Sequence, residues 1–226
     1  MDETGGSEGS AAWEETALDD VEFVVVDLET TGTSPAQGHR VTEVAAVGVR
    51  RGVATPLFES LVNPRSPVPH WITRLTGISD AMVYDAPPFE AIAEELAAHL
   101  AGRVFVAHNA AFDWSFLDAE YLRMVQPGIG RLAVTRVCTV QLARRFLRHL
   151  PRRNLDAVCA HYGIVVDNRH RAMGDARATA EALVCLLGDA ASAGTRSLGD
   201  LLRPGSSRSP RARRALPSWT DGRPGA

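Results

Sequence analysis

The stretch Val24-Val25-Val26-Asp27-Leu28-Glu29-Thr30-Thr31-Gly32 constrains this chain more than any other. Three β-branched residues argue for a buried strand, yet the strand runs straight into two carboxylates. Side chains alternate along a strand, so Asp27 and Glu29 point to one face. Two carboxylates side by side repel, and each resists removal from water. Such a strand either ends at solvent near Asp27 or holds something positive between its acids. A divalent cation that prefers oxygen ligands meets the second need. Taken alone, Asp-x-Glu fits both outcomes.

The rest of the composition narrows the classes. With 226 residues, the chain is long enough for one domain with a proper core plus tails. No apolar run approaches the roughly 18 residues of a membrane span, and the acidic N-terminus lacks the apolar centre of a secretory signal. Three cysteines, Cys138, Cys159 and Cys185, form no CxxC pair, which suggests neither a disulfide framework nor a zinc knuckle. The expectation is a cytoplasmic protein with no membrane partner. Residues 1–20 hold seven acids and no base, whereas residues 191–226 hold seven arginines and two aspartates. Both ends are expected to be weakly ordered tails, acidic and basic, around a domain at 21–190. The basic tail suits either electrostatic contact with nucleic acid or simple solubility.

Between the tails, three strands are expected at 22–29, 40–50 and 54–62, joined by short connections as an antiparallel meander. A short helix over 69–80 stops at Gly77. A longer amphipathic helix follows at 89–102, with Ile92, Leu96 and Leu100 on one side. A strand at 103–109, a helix at 111–125 and a strand at 131–137 come next. Helices over 138–150, 154–163 and 174–189 close the pattern. This order predicts an α/β fold, a mixed five-stranded sheet with helices on both faces.

Two further clusters carry acids. In Ala107-His108-Asn109-Ala110-Ala111-Phe112-Asp113 a buried strand gives way at once to a helix, with Asp113 in its first turn. A carboxylate suits the positive end of a helix dipole, so plain charge compensation explains Asp113. Asn109 is then a turn residue and His108 a satisfied core histidine. In His170-Arg171-Ala172-Met173-Gly174-Asp175-Ala176, Asp175 reads as an N-cap or first-turn residue. His170 there suits a polar surface loop, flanked by Arg169 and Arg171.

Set in order, the segments are Asp-x-Glu-Thr-Thr-Gly, His-Asn-Ala-x-Phe-Asp and His-x-x-x-x-Asp. Together they resemble the DEDD exonucleases of the subgroup with histidine in the last motif. The DnaQ-like branch, typified by the proofreading epsilon subunit of bacterial DNA polymerase III, is the nearest likeness. Residues 72–92 and 154–164 resemble that branch's linker and its leucine-rich helix. The resemblance spans about residues 21–190 and implies an RNase H-like fold. It also implies two Mg²⁺ ions, with Mn²⁺ as a substitute, held by Asp27, Glu29, Asp113 and Asp175. Asp27 would bridge the two, and His170 would be the general base. Cys138 departs from the aspartate that many relatives carry, outside the metal set.

By the same resemblance, Thr30, Thr31 and Gly32 line the 3′-terminal nucleotide, and Leu28, His108 and Asn109 belong to the substrate-binding set. Phe112 and the 71–78 loop, with Trp71, Thr76 and Ile78, wedge or stack on the last bases. Core packing is the alternative for Trp71 and Phe112. Arginines 144, 145, 148, 152 and 153 form a basic run suited to backbone phosphates or to a solvated helix face. The implied function is 3′→5′ exonucleolytic removal of nucleoside monophosphates from single-stranded or frayed DNA ends, in proofreading or repair. An RNA-trimming enzyme of the same superfamily and a non-catalytic polymerase-binding or nucleic-acid-binding module are the rivals. A DNA polymerase subunit is a candidate partner. The short apolar patch at 197–202 leaves a free-standing enzyme equally open.

Overall fold

The computed structural model describes residues 15–124 and 135–203. Its centre is the apolar strand expected from the sequence, β1 (Phe23–Thr30). Two long strands, β2 (Val41–Arg50) and β3 (Val53–Leu61), follow as an antiparallel meander. Two short parallel strands, β4 (Val104–Ala107) and β5 (Arg136–Cys138), complete a five-stranded sheet in the order β3-β2-β1-β4-β5. Of the strand expected at 131–137, only its end is seen; residues 131–134 lie outside the described set.

Seven of the described helices pack around this sheet or extend its edges. They are α1 (His70–Thr76), α2 (Asp80–Tyr84), α3 (Phe89–Leu100), α4 (Ala110–Arg123), α5 (Thr139–Phe146), α6 (Leu155–Tyr162) and α7 (Ala172–Ser192). The alternation of side chains along the strands divides the interior into two cores. Phe23, Val25, Ala45, Val47 and Val106 meet α5, α6 and α7. Val24, Val26, Leu28, Val44 and Phe105 meet α3 and α4. Around β1, β2 and β4 neither face is left to water, which is why these strands carry near-continuous apolar runs, whereas the start of the edge strand β3 is exposed. Each large side chain buried there contributes roughly 1.5–3 kcal/mol.

Helix α7 lies across β1 and β2. Ala172, Ala176 and Ala180, all fully buried, let its backbone approach the sheet closely. The helix is longer than expected, opening at Ala172 and running to Ser192. The domain also reaches past its expected limits of 21 and 190. A helix, α8 (Leu198–Leu202), begins with a capping box between Ser197 and Asp200. Leu198 and Leu201 are buried in the α7-side core, and Leu18 packs on the same core. Backbone hydrogen bonds from Leu18 to Arg196 and from Leu198 to Thr16 tie the two ends together. The weakly ordered C-terminal tail expected from residue 191 therefore does not begin before residue 203. No helix among the described residues is long and apolar enough to cross a membrane.

Candidate active site

Asp27 and Glu29 lie on the α7 side of β1, the same face as Phe23 and Val25. β4 pairs with β1 only as far as Val25, opposite Val106. Beyond that point the acid-bearing end of β1 has no strand neighbour on its β4 side among the described residues. The start of α4 fills this place. β4 ends at Ala107, Asn109 turns the chain in the left-handed region at φ 77°, and α4 opens at Ala110. Asparagine tolerates that conformation better than most residues. Asp113, in the first turn, is thereby buried beside β1, with the Leu28 N–H and its own N–H facing its carboxylate.

The third element is the start of α7. Asp175 is 4% exposed, and its Oδ1 is buried without a hydrogen-bond partner among the described residues. Its Oδ2 accepts a hydrogen bond from the Arg169 guanidinium, whose Nε donates to Asp156 at 2.7 Å. His170 precedes the helix at φ 62°, with Asn168 at φ 54° just before it. Ligand atoms of Glu29, His170 and Asp175 lie within 4.8 Å of one another.

The electrostatics follow from this crowding. Burial, then the charges of Asp113, Asp175 and Glu29, hold Asp27 well above the ordinary carboxylate range. Burial and the charges of Asp175 and Glu43 push Glu29 up to about 8. Burial pushes Asp113 up to about 8, and the two facing N–H groups restrain it. Asp175 is raised by burial, while the Arg169 and His170 charges oppose the shift. Acids that resist ionisation in the absence of a cation, with one buried carboxylate oxygen unpartnered among the described residues, fit a site for divalent ions.

The structure therefore brings together Asp27, Glu29, Asp113, Asp175 and His170. It treats the expected nucleotide-lining residues less uniformly. The Leu28 side chain belongs to the α3–α4 core, because it points away from its acidic neighbours. Thr30 donates its hydroxyl to the Gly32 carbonyl at 2.6 Å, and the Thr31 hydroxyl accepts from the Arg40 N–H at 2.9 Å. Both threonines are buried, so their hydroxyls hold the turn that carries Gly32. A Cβ on Gly32 would stand 2.5 Å from the His39 ring, so a larger residue there would displace that side chain. His108 is the satisfied histidine, between the Thr139 hydroxyl at 2.8 Å and the Arg153 carbonyl at 3.0 Å. Burial lowers it to about 4, so it stays neutral.

Thr76 and Ile78 are likewise interior. The Thr76 hydroxyl donates to the Ile72 carbonyl and accepts from the Ile78 N–H, inside a small core with Val68 and Val83. The side chains left open to a substrate are Trp71, 48% exposed, Asn109, and half-buried Phe112, whose ring lies 4.9 Å from that of Phe116. The arginine run divides too. Arg145 donates to carbonyls at the end of α8, and Arg153 donates to the Leu147 and Arg148 carbonyls, whereas Arg144 and Arg152 face solvent. Sequence reading assigned no role to Arg169, Arg171 or Glu43. The two arginines were visible only as polar flanks of His170, and Glu43 only as one residue of a strand.

Residues 24–183 match the RNase T exonuclease family. The chain is 38% identical over 202 residues to the DNA polymerase III subunit epsilon-like protein of Rhodobacter capsulatus, covering 87% of this chain and 28% of that one. It is 38% identical over 157 residues to the 3′-5′ exonuclease DinG of Bacillus subtilis, covering 70% of this chain and 16% of that one. It thus spans less than a third of either relative. Exonuclease X, solved in complex with 5′ overhanging duplex DNA, superposes with a TM-score of 0.56 at 27% identity, over 75% of this chain and 93% of that one. The nuclease domain of 3′hExo, a DEDDh family member bound to rAMP, shares the fold with a TM-score of 0.63 at 18% identity, over 74% of this chain and 92% of that one. The expected RNase H-like architecture is borne out, and the match over residues 24–183, which contains all four acids and His170, makes this chain a member of the RNase T exonuclease family.

Proposed function

We propose that this chain removes nucleoside monophosphates from the 3′ ends of DNA by metal-assisted phosphodiester hydrolysis. One observation carries the reading: four carboxylates that resist ionisation, from β1, α4 and α7, converge beside His170, and the buried Asp175 Oδ1 has no hydrogen-bond partner among the described residues. Asp27, Glu29, Asp113 and Asp175 would hold two divalent ions, Mg²⁺ in the first instance. Bound there, the ions would supply charge neutralisation, an acidified water and a stabilised leaving oxygen.

The protein's own groups do the rest. His170 accepts the proton of the attacking water, a task suited to an imidazole near neutral pH. Its ring stands within 4.8 Å of carboxylate oxygens of Glu29 and Asp175, where the attacking water would be held. Arg169 tempers the repulsion at Asp27, Glu29 and Asp175 until cations arrive, with Asp156 holding its other edge. Trp71 and Leu75, one helical turn apart and each about half exposed, offer an apolar surface on which unpaired bases stack. A single-stranded or frayed 3′ end is accordingly the substrate form.

The test is a time course on 5′-labelled single-stranded DNA, on RNA of the same sequence and on a mismatched primer–template, with Mg²⁺, Mn²⁺ or EDTA. The DNA strands should shorten progressively from the 3′ end, release mononucleotides and survive in EDTA. Dominant internal cuts, or RNA degraded much faster than DNA, would overturn the reading.

A further inference from the structure

Glu43 lies in β2 on the face that meets α7 and is 1% exposed. A carboxylate at that depth is costly unless paired and hydrogen-bonded. Glu43 is both. Arg171 Nε lies 3.1 Å from each of its oxygens, Arg171 Nη2 lies 2.5 Å from Oε1, and the Ala172 N–H donates to Oε2 at 2.8 Å. Ala172 is the first residue of α7. Arg171, in the cap position, makes no side-chain capping bond of its own. A strand on the far side of β1 thus supplies the helix cap that the local sequence lacks.

The residue before Arg171 is His170, held at φ 62°. Non-glycine residues keep such a backbone only where their surroundings impose it. The Arg171 N–H donates to the Asn168 carbonyl at 3.1 Å and closes the turn over His170, and the Glu43 anchors on residues 171 and 172 fix the chain on its C-terminal side. Glu43 is also the direct cross-strand partner of Glu29. Like charges so placed repel, and the Arg171 guanidinium offsets the Glu43 charge.

We infer that Glu43, acting through Arg171 and the first turn of α7, is a positioning residue that sets where the His170 imidazole stands over the acidic cluster. Its kinetic consequence rests on the exonuclease reading; its structural consequence does not. Glu43→Gln keeps the shape and an acceptor for the Ala172 N–H but removes the charge that grips the guanidinium. Arg171→Gln loosens the same pair from its half-exposed end and serves where the buried substitution prevents folding.

Two readouts decide. The first is the imidazole carbon–proton resonance of His170, assigned by its loss in His170→Ala. It should shift or broaden in both variants, while the signals of exposed His149 and His161 stay in place. The second is single-turnover cleavage of 5′-labelled single-stranded DNA. The rate should fall by roughly 10- to 100-fold, the cost of an ångström-scale misplacement, with KM little changed. In a His170→Ala background the second substitution should add nothing, because the group it places is gone. An unmoved His170 resonance in folded variants overturns the inference, as does an equal rate loss with and without His170. If the wild type itself cleaves no DNA, the exonuclease reading falls, and the resonance comparison alone still decides the positioning role.

Discussion

Replacing Glu29 by glutamine should stabilise the metal-free protein and destroy its catalysis, and both effects have one cause. In the folded chain Glu29 is raised from 4.5 to about 8, by burial and by the charges of Asp175 and Glu43. The folded state therefore holds this proton more tightly than the unfolded chain. Below pH 4.5 both states are protonated and the contribution to stability is fully present. As pH rises from 4.5 to 8 the unfolded chain loses its proton first, and the folded state loses stability. At pH 7 the linkage amounts to roughly 3 kcal/mol at most. Water reaching this half-buried carboxylate reduces it to about 1–2 kcal/mol. For a chain of this size each kcal/mol moves Tm by about 2–4 °C. Glu29→Gln should then melt roughly 2–8 °C above the wild type at pH 7 in EDTA. At pH 4 the gap should close, since both proteins carry a neutral group. Mg²⁺ should raise the wild-type Tm more than that of the variant. The assay is thermal unfolding followed by circular dichroism at the two pH values, with EDTA or Mg²⁺. A variant that melts at or below the wild type at pH 7 in EDTA, or a gap that ignores pH, would refute the reasoning.

Asp113→Asn should behave alike in EDTA, because Asp113 is also raised to about 8, and it should weaken Mg²⁺ binding measured by calorimetry. His170→Ala should lower the single-turnover rate by about 10²–10⁴-fold and leave Mg²⁺ affinity nearly unchanged; a near-full rate with an unaltered pH profile would place the base elsewhere. Gly174→Ala should destabilise by roughly 1–3 kcal/mol and slow cleavage. Its Cβ would meet the Asp167 and Asn168 carbonyl oxygens at 2.2 and 2.6 Å, which forces back the loop that carries Arg169 and His170. Leu198→Ala should cost about 2–5 kcal/mol by denaturant unfolding if α8 belongs to the domain; no change would make that helix an appendage.

The legible part of the molecule was its local chemistry. Strand alternation alone placed Asp27 and Glu29 on one face, and the polar step at His108–Asn109 marked the end of β4 and the start of α4. Gly77 stopped its helix where expected, at positive φ. The start of α7 was missed by two residues because its cap is not local. Glu43 caps it from 129 positions away in sequence, and no window of sequence contains that pair. The C-terminal helix is hidden in the sequence because the capping box at Ser197 is a short signal inside a basic stretch.

The same division holds for the site. The sequence by itself singled out the groups proposed for the chemistry, since four carboxylates and a histidine lie in three ordered motifs that together resemble one family. Only the tertiary structure decided what surrounds them. It showed that the hydroxyls of Thr30 and Thr31 bind their own turn, that His108 is fully occupied between Thr139 and Arg153, and that Arg169 lies against Asp175. The physical reason is that a side chain's chemistry is intrinsic and readable one residue at a time. Its availability depends on burial and hydrogen-bond partners, which are set by contacts between residues far apart in the chain.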